Sequence, residues 1–216
     1  MTQQRPDPHA AAQVYTAGQS LQDARAALII LHGRGGASPE IIGLTNFLDT
    51  GGYAIFAPSA VGQSWYPQRF IRPVEENEPH LSSALNLISR LIERINAAGI
   101  PIERIMMSGF SQGACLAAEY VARHPRRYGG LAVFSGGLIG QTIDRSHYPA
   151  DADLAGTPVL VGCGDVDFHI PVERVRETSE ILRQMGGTVT ERIYPGMDHS
   201  INEEELSLFS AMLREV

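Results

Sequence analysis

The sequence predicts an α/β fold: a mostly parallel central sheet with helices on both faces. Three observations carry that prediction. Short apolar runs alternate with helix-forming stretches along the chain, the pattern of repeated βαβ units. Runs such as 26–31 are apolar throughout rather than at every second position, as strands buried on both faces require. The 216 residues suit one sizeable core, so a single domain over 1–216 is expected, with 1–12 as a flexible tail.

Taken in order, Gln13 to Ala17 reads as a short edge strand and Ala26 to Leu31 as a buried one. The buried strand ends in His32-Gly33-Arg34-Gly35-Gly36, where closely spaced glycines imply a tight turn with main-chain N–H groups pointing into a crevice. Ser38-Pro39-Glu40 reads as N-cap, first helical residue and first-turn acid of a helix carrying Ile41, Ile42, Leu44 and Phe47, stopped by Gly51-Gly52. Tyr53 to Ala57 is the next strand. Residues 58–80 lack periodicity but carry Trp65, Tyr66 and Phe70; a loop of this length in a compact domain is functional or disordered, and the aromatics argue against disorder.

Leu81, Ala84, Leu85, Ile88, Leu91, Ile92 and Ile95 recur at steps of three and four, predicting a helix over 81–98 closed by Gly99 and Pro101. Ile105-Met106-Met107 enters a glycine-flanked turn, followed by an Ala-rich helix from about Gln112 to His124-Pro125. Further strands are expected at 131–134, 158–163 and 188–194, with helices at 172–185 and 203–213.

Composition excludes several classes. A net charge of -7 with scattered basic residues disfavours nucleic-acid binding. The polar start lacks a secretory signal, and the apolar runs fall far below the roughly 20 residues that span a bilayer, so a cytoplasmic protein without stable membrane insertion is expected. Cys115 and Cys163 form no C-x-x-C pair and suit buried thiols in a reducing compartment. No H-E-x-x-H or Cys/His cluster suggests a metal. A phosphate cradle at the glycine turn is disfavoured, because no G-K-[ST] follows and G-x-G-x-x-G is incomplete. The oligomeric state is open and compatible with a homodimer.

Gly109-Phe110-Ser111-Gln112-Gly113 fits the G-x-S-x-G nucleophile elbow, a Ser on a sharp strand-to-helix turn. Alone the motif is weak, since Gly and Ser are common in turns. Here a buried strand precedes it, a helix follows, and an acid and a His come after later strands. A Ser hydroxyl needs an imidazole to take its proton and a carboxylate to hold that imidazole in one tautomer. His199, in the loop after the last strand, is the best-placed base.

The competing histidines are worse placed. His124 reads as a helix cap, His32 as support for the glycine turn and His9 as tail, while His80 and His147 lie in loops with no strand end behind them; His169 follows Asp167 too closely to turn back onto it. For the acid, the turn after 158–163 offers Asp165 and Asp167, with Asp198 a third candidate beside His199. The chain order Ser, acid, His is that of α/β-hydrolases. Oxyanion donors, typically worth about 3 kcal/mol each, would be the N–H of Gln112 and one from the glycine turn, most naturally Arg34, with their side chains of little account.

Leu31 to Gly36, Gly109 to Ala114, Gly164 through Asp167 to Pro171, and Gly196 to His199 resemble the four sequence blocks of the phospholipase/carboxylesterase family. That family includes bacterial carboxylesterases and acyl-protein thioesterases. The resemblance runs from about Ala26 nearly to the end of the chain. It implies an α/β-hydrolase fold with little or no cap and cofactor-free hydrolysis of esters or thioesters. It also selects Asp167 over Asp165, because the family's acid lies three residues after the Gly and four before the Pro. Three departures bear on specificity: Arg34 stands where acyl-protein thioesterases often have Leu, Ser64-Trp65-Tyr66-Pro67 replaces their Trp-Phe-Asp run, and Cys163 replaces a common His. They weigh against a long-chain protein-lipid substrate.

The expectation is therefore a serine carboxylesterase for short- to medium-chain acyl esters, with Ser111, His199 and Asp167 as triad and Trp65, Phe70 and Leu138 as pocket candidates. Two alternatives are an acyl-protein thioesterase or lysophospholipase taking longer chains, and a non-catalytic binding module on the same scaffold. A dienelactone-type hydrolase fits less well, since such enzymes usually carry Cys at the elbow.

Overall fold

The computed structural model describes residues 6–216. Seven strands form one sheet: β1 (Val14–Gly18), β2 (Ala26–Leu31), β3 (Tyr53–Pro58), β4 (Ile105–Phe110), β5 (Gly130–Phe134), β6 (Pro158–Gly164) and β7 (Thr188–Tyr194). Their order is β1-β3-β2-β4-β5-β6-β7, with β1 antiparallel to β3 and every other pair parallel. This is the predicted α/β-hydrolase architecture.

Strand order reverses between β2 and β4, whose carboxyl ends meet where Leu31 pairs with Gly109. Such a switch point opens a crevice beyond the strand ends. The glycine turn leaves β2 there, and Ser111 leaves β4 beside it.

The side-chain period of two divides the core. Ala27, Ile29 and Leu31 face the cluster built with α2 (His80–Ala97), α3 (Gln112–Arg123) and α4 (Val172–Gln184). Ala26, Leu28 and Ile30 face the smaller cluster beneath α1 (Ser38–Gly43) and α5 (Glu203–Arg214), which supplies Phe209 and Leu213. Among the described residues, no helix is long and apolar enough to cross a membrane.

Several local expectations need correction. The first helix ends at Gly43 and continues only as a 3-10 turn over Leu44–Phe47, leaving Phe47 71% exposed. Its N-cap is Ala37, whose N–H donates to Glu40 Oε2 at 3.2 Å; Ser38 is the first helical residue. The first five residues of the expected tail lie outside the described residues. The stretch after them is fastened rather than frayed: His9 is fully buried, its N–H donates to Ser83 Oγ (2.8 Å), its Nδ1 accepts from Val61 N–H (3.2 Å) and its Nε2 donates to the Trp65 carbonyl (3.0 Å).

Residues 58–80 are ordered through two short 3-10 turns, Val61–Gln63 and Val74–Asn77. Trp65 and Tyr66, between those turns, are almost wholly buried.

Candidate active site

Ser111 occupies the turn between β4 and α3 with φ 55° and ψ -120°, a region costly for any residue with a Cβ. Its N–H donates to the Phe134 carbonyl (3.0 Å), and a Cβ at Gly109 or Gly113 would collide with neighbouring backbone. The two glycines let helix, strand and β2 close up, and that closeness holds the turn in its strained form.

His199 Nε2 lies 2.8 Å from Ser111 Oγ, and His199 Nδ1 lies 2.6 Å from Asp167 Oδ2. Asp167 Oδ1 accepts from the N–H groups of His169 (2.7 Å) and Ile170 (3.0 Å). Burial alone would raise the Asp167 pKa, but the His199 hydrogen bond and these two N–H groups outweigh it and hold the carboxyl below its usual range. An ionised carboxylate only accepts, so Nδ1 of His199 carries the proton and Nε2 is left as acceptor for the Ser111 hydroxyl. The arrangement can take a proton from Ser111 and return it to a leaving group.

Two loops hold that geometry. Asp165, the other acid of the turn, accepts from Gly196 N–H at 2.7 Å and ties the acid loop to the His199 loop. Gly164 leaves space for the Met197 carbonyl that a Cβ would fill. Ser135 Oγ donates to the Ser200 carbonyl at 3.2 Å, and Asn202 caps α5 by accepting from Glu205 N–H at 2.9 Å. Asp198 accepts from the Oγ and the N–H of Ser200 rather than from His199. Cys163 lies 3.6 Å from Asp167 Oδ2, with its thiol pushed up to about 12 by burial and then by that neighbouring charge.

Among the described residues, the main-chain N–H groups of Arg34 and Gln112 meet no acceptor. The glycine turn sits directly on Ser111, since a Cβ at Gly33 would lie 3.2 Å from that of Ser111. His32 is buried beneath, its Nδ1 donating to the Gly33 carbonyl (2.7 Å) and its Nε2 accepting from Ala60 N–H (3.0 Å).

The side chains of Arg34 and Gln112 have work that their sequence context did not signal. Arg34 donates to the carbonyls of Tyr66, Pro67 and Gln68 and to Ser64 Oγ, at 2.6–3.0 Å. Gln112 Oε1 accepts from Trp65 N–H (2.9 Å) and its Nε2 donates to the Tyr66 carbonyl (2.8 Å). Together they fasten the aperiodic segment over the switch point.

A cavity of about 280 Å³ opens at Ser111 and His199. Its wall includes Tyr66, Phe70, Phe110, Cys115 and Ile170, with the exposed side chains of Arg69 and His169 beside them. Of the three expected pocket residues only Phe70 lines it. Trp65 is fully buried and donates its indole N–H to the His32 carbonyl (2.8 Å), so it props the glycine turn. Leu138 is also fully buried, held by Thr178 through its N–H and by Arg174 through its carbonyl. Aromatic and aliphatic bulk in a loop did not distinguish wall from foundation; backbone hydrogen bonds decide that.

The sequence profile of the Phospholipase/Carboxylesterase family matches residues 16–216. The chain belongs to that family. A phospholipase/carboxylesterase from Dyadobacter fermentans is 43% identical, with a TM-score of 0.91 over 94% of this chain and 96% of that one. A probable carboxylesterase of Arabidopsis thaliana is 32% identical over 65% of this chain, and acyl-protein thioesterase 1 of Gibberella zeae is 36% identical over 60% of it. These two alignments span about half of each relative's length, 53% and 54%. The phospholipase/carboxylesterase family joins carboxylesterases and acyl-protein thioesterases, so membership makes this a hydrolase-family chain and leaves the acyl group open.

Proposed function

We propose that this protein is a serine carboxylesterase acting on short- to medium-chain acyl esters. The observation that carries the reading is the unbroken line from Ser111 Oγ through His199 to Asp167, at 2.8 and 2.6 Å, opening into a cavity.

Ser111 Oγ attacks the ester carbonyl carbon as its proton passes to His199 Nε2. The C=O electron pair moves onto oxygen, and the N–H groups of Arg34 and Gln112, which meet no other acceptor among the described residues, receive that oxyanion. Collapse breaks the bond to the alcohol oxygen, which takes the proton from His199 and leaves. Water then attacks the acyl-enzyme by the same route, releasing the acid and restoring Ser111. Asp167 stays ionised throughout and holds the imidazole. The reaction needs only ester and water, and two buried free thiols suit a reducing cytoplasm.

The cavity's volume of about 280 Å³ lies just below the roughly 300–1,000 Å³ of small-molecule sites and supports a short acyl group. One observation favours the longer-chain alternative. A second, apolar groove of about 570 Å³ runs past Ile41, Leu44 and Phe47 and shares Gly33, Arg34 and Phe110 with the first. Rate against acyl length, from acetyl to palmitoyl, separates the two: a maximum at or below octanoyl supports the esterase reading, and a rise through palmitoyl supports the thioesterase or lysophospholipase.

A further inference from the structure

Arg34 and Arg69 both line the cavity at Ser111, and among the described residues no Asp or Glu does, in a chain whose net charge is -7. The two arginines differ in what they have left to give. Four hydrogen bonds to the Ser64–Gln68 segment occupy Arg34. Arg69 makes one side-chain hydrogen bond, from Nη2 to the His169 carbonyl at 3.1 Å, and among the described residues it has no carboxylate partner. Most of its donor fork is therefore unspent at the edge of the cavity that holds the nucleophile.

Its backbone is fixed on both sides. Gln68 N–H donates to Oδ1 of the fully buried Asn77 (2.8 Å), Asn77 Nδ2 donates to the Arg69 carbonyl (3.4 Å), and Gly140 N–H donates to the Phe70 carbonyl (2.8 Å). The guanidinium is thus presented from an anchored segment.

Resting on the esterase reading, we infer that Arg69 reads an anionic group on the substrate, so that the preferred esters carry a carboxylate. A planar fork of N–H donors matches a carboxylate two bonds at a time. An unpaired cation at the mouth of the cleft also raises the local concentration of an anionic substrate around an otherwise acidic protein. The carboxylate can sit on the acyl part, as in a dicarboxylic acid monoester, or on the alcohol part, as in an ester of a hydroxy acid. Both present the same group to Arg69.

The test compares kcat/KM within two matched pairs: monoethyl succinate against ethyl butyrate, and acetoxyacetate against propyl acetate. Wild type, Arg69→Gln and Arg69→Lys are each assayed by acid release. Wild type should prefer the anionic member of one pair, and the pair that responds identifies which side carries the charge. Arg69→Gln should lower that preference by about two- to fivefold, the scale of an exposed ion pair, while Lys keeps part of it. Raising salt to about 0.5 M should shrink the preference. Absence of preference in wild type, or the same ratio in Arg69→Gln, would overturn the inference. If wild type turns over no ester and Ser111 resists a fluorophosphonate, the esterase reading fails. Calorimetry with succinate then still decides for Arg69: equal affinity in wild type and Arg69→Gln would reject its role.

Discussion

Arg34 and Gln112 donate to one and the same oxygen, the Tyr66 carbonyl, at 2.9 and 2.8 Å. The two residues proposed to supply main-chain oxyanion donors thereby share a side-chain anchor on the segment that walls the cavity. Gln112→Ala removes its bonds to the Tyr66 carbonyl and the Trp65 N–H while leaving the main-chain donor in place. It should lower stability by about 1–3 kcal/mol, the scale of buried hydrogen-bonding groups left unpaired. Urea unfolding measures that loss, and faster proteolysis within residues 58–80 locates it.

Asp167→Asn should keep the fold and reduce kcat on the order of 10⁴-fold, because an amide can hold the imidazole in the wrong tautomer. The substitution also has a pH signature. The Asp167 pKa is lowered in the folded state, so the ionised group contributes stability that is fully present above the unfolded value and is lost as pH falls through the folded one. Unfolding curves from pH 6 down into the acid range should therefore fall less steeply for Asp167→Asn than for wild type. Parallel slopes would contradict the bonding described for this carboxylate.

Glu205 behaves in the opposite sense. It is fully buried, its Oε1 has no hydrogen bond among the described residues, and burial raises its pKa to about 7. The folded protein thus keeps this proton to higher pH than the unfolded chain does. The penalty is absent below the ordinary carboxylate value, grows as pH rises toward 7, and is constant above. Glu205→Gln keeps an oxygen for the Asn202 N–H that Glu205 Oε2 now accepts from at 2.9 Å. It should be more stable than wild type at pH 8 by as much as about 3 kcal/mol, with the gap closing by pH 5. An equal gap at both pH values would show that the charge is not its source.

The backbone at Ser111 gives a stability prediction separate from its chemistry. With φ at 55° the position favours a residue without a Cβ. Ser111→Gly should melt higher than Ser111→Ala, by the equivalent of roughly 1 kcal/mol, with neither variant turning over ester. Equal melting temperatures would argue against strain at the elbow.

Elements whose order comes from local pattern were legible in the sequence. Ala26 to Leu31 is apolar at every position and is buried at every position, and Thr188–Tyr194 matches its predicted bounds. The Ser, acid, His order with its flanking glycines was equally readable, because each lies at a strand end. What escaped was order imposed from a distance. Residues 58–80 have no period of their own and are held by Arg34, Gln112 and His9, three side chains far away in sequence. Nothing local distinguishes Trp65, which props a turn, from Phe70, which lines a cavity. Arg69 and His169 met the site for the same non-local reason, through a side chain-to-carbonyl bond across 100 residues.

The most direct test of the central claim, that Ser111 is the nucleophile, is intact-protein mass spectrometry after treatment with a fluorophosphonate. Wild type should gain one adduct, mapped by peptide to Ser111 and lost with esterase activity in proportion. Ser111→Ala should gain none and leave nitrophenyl acetate unhydrolysed. An adduct on another residue, or ester turnover retained by Ser111→Ala, would contradict the account.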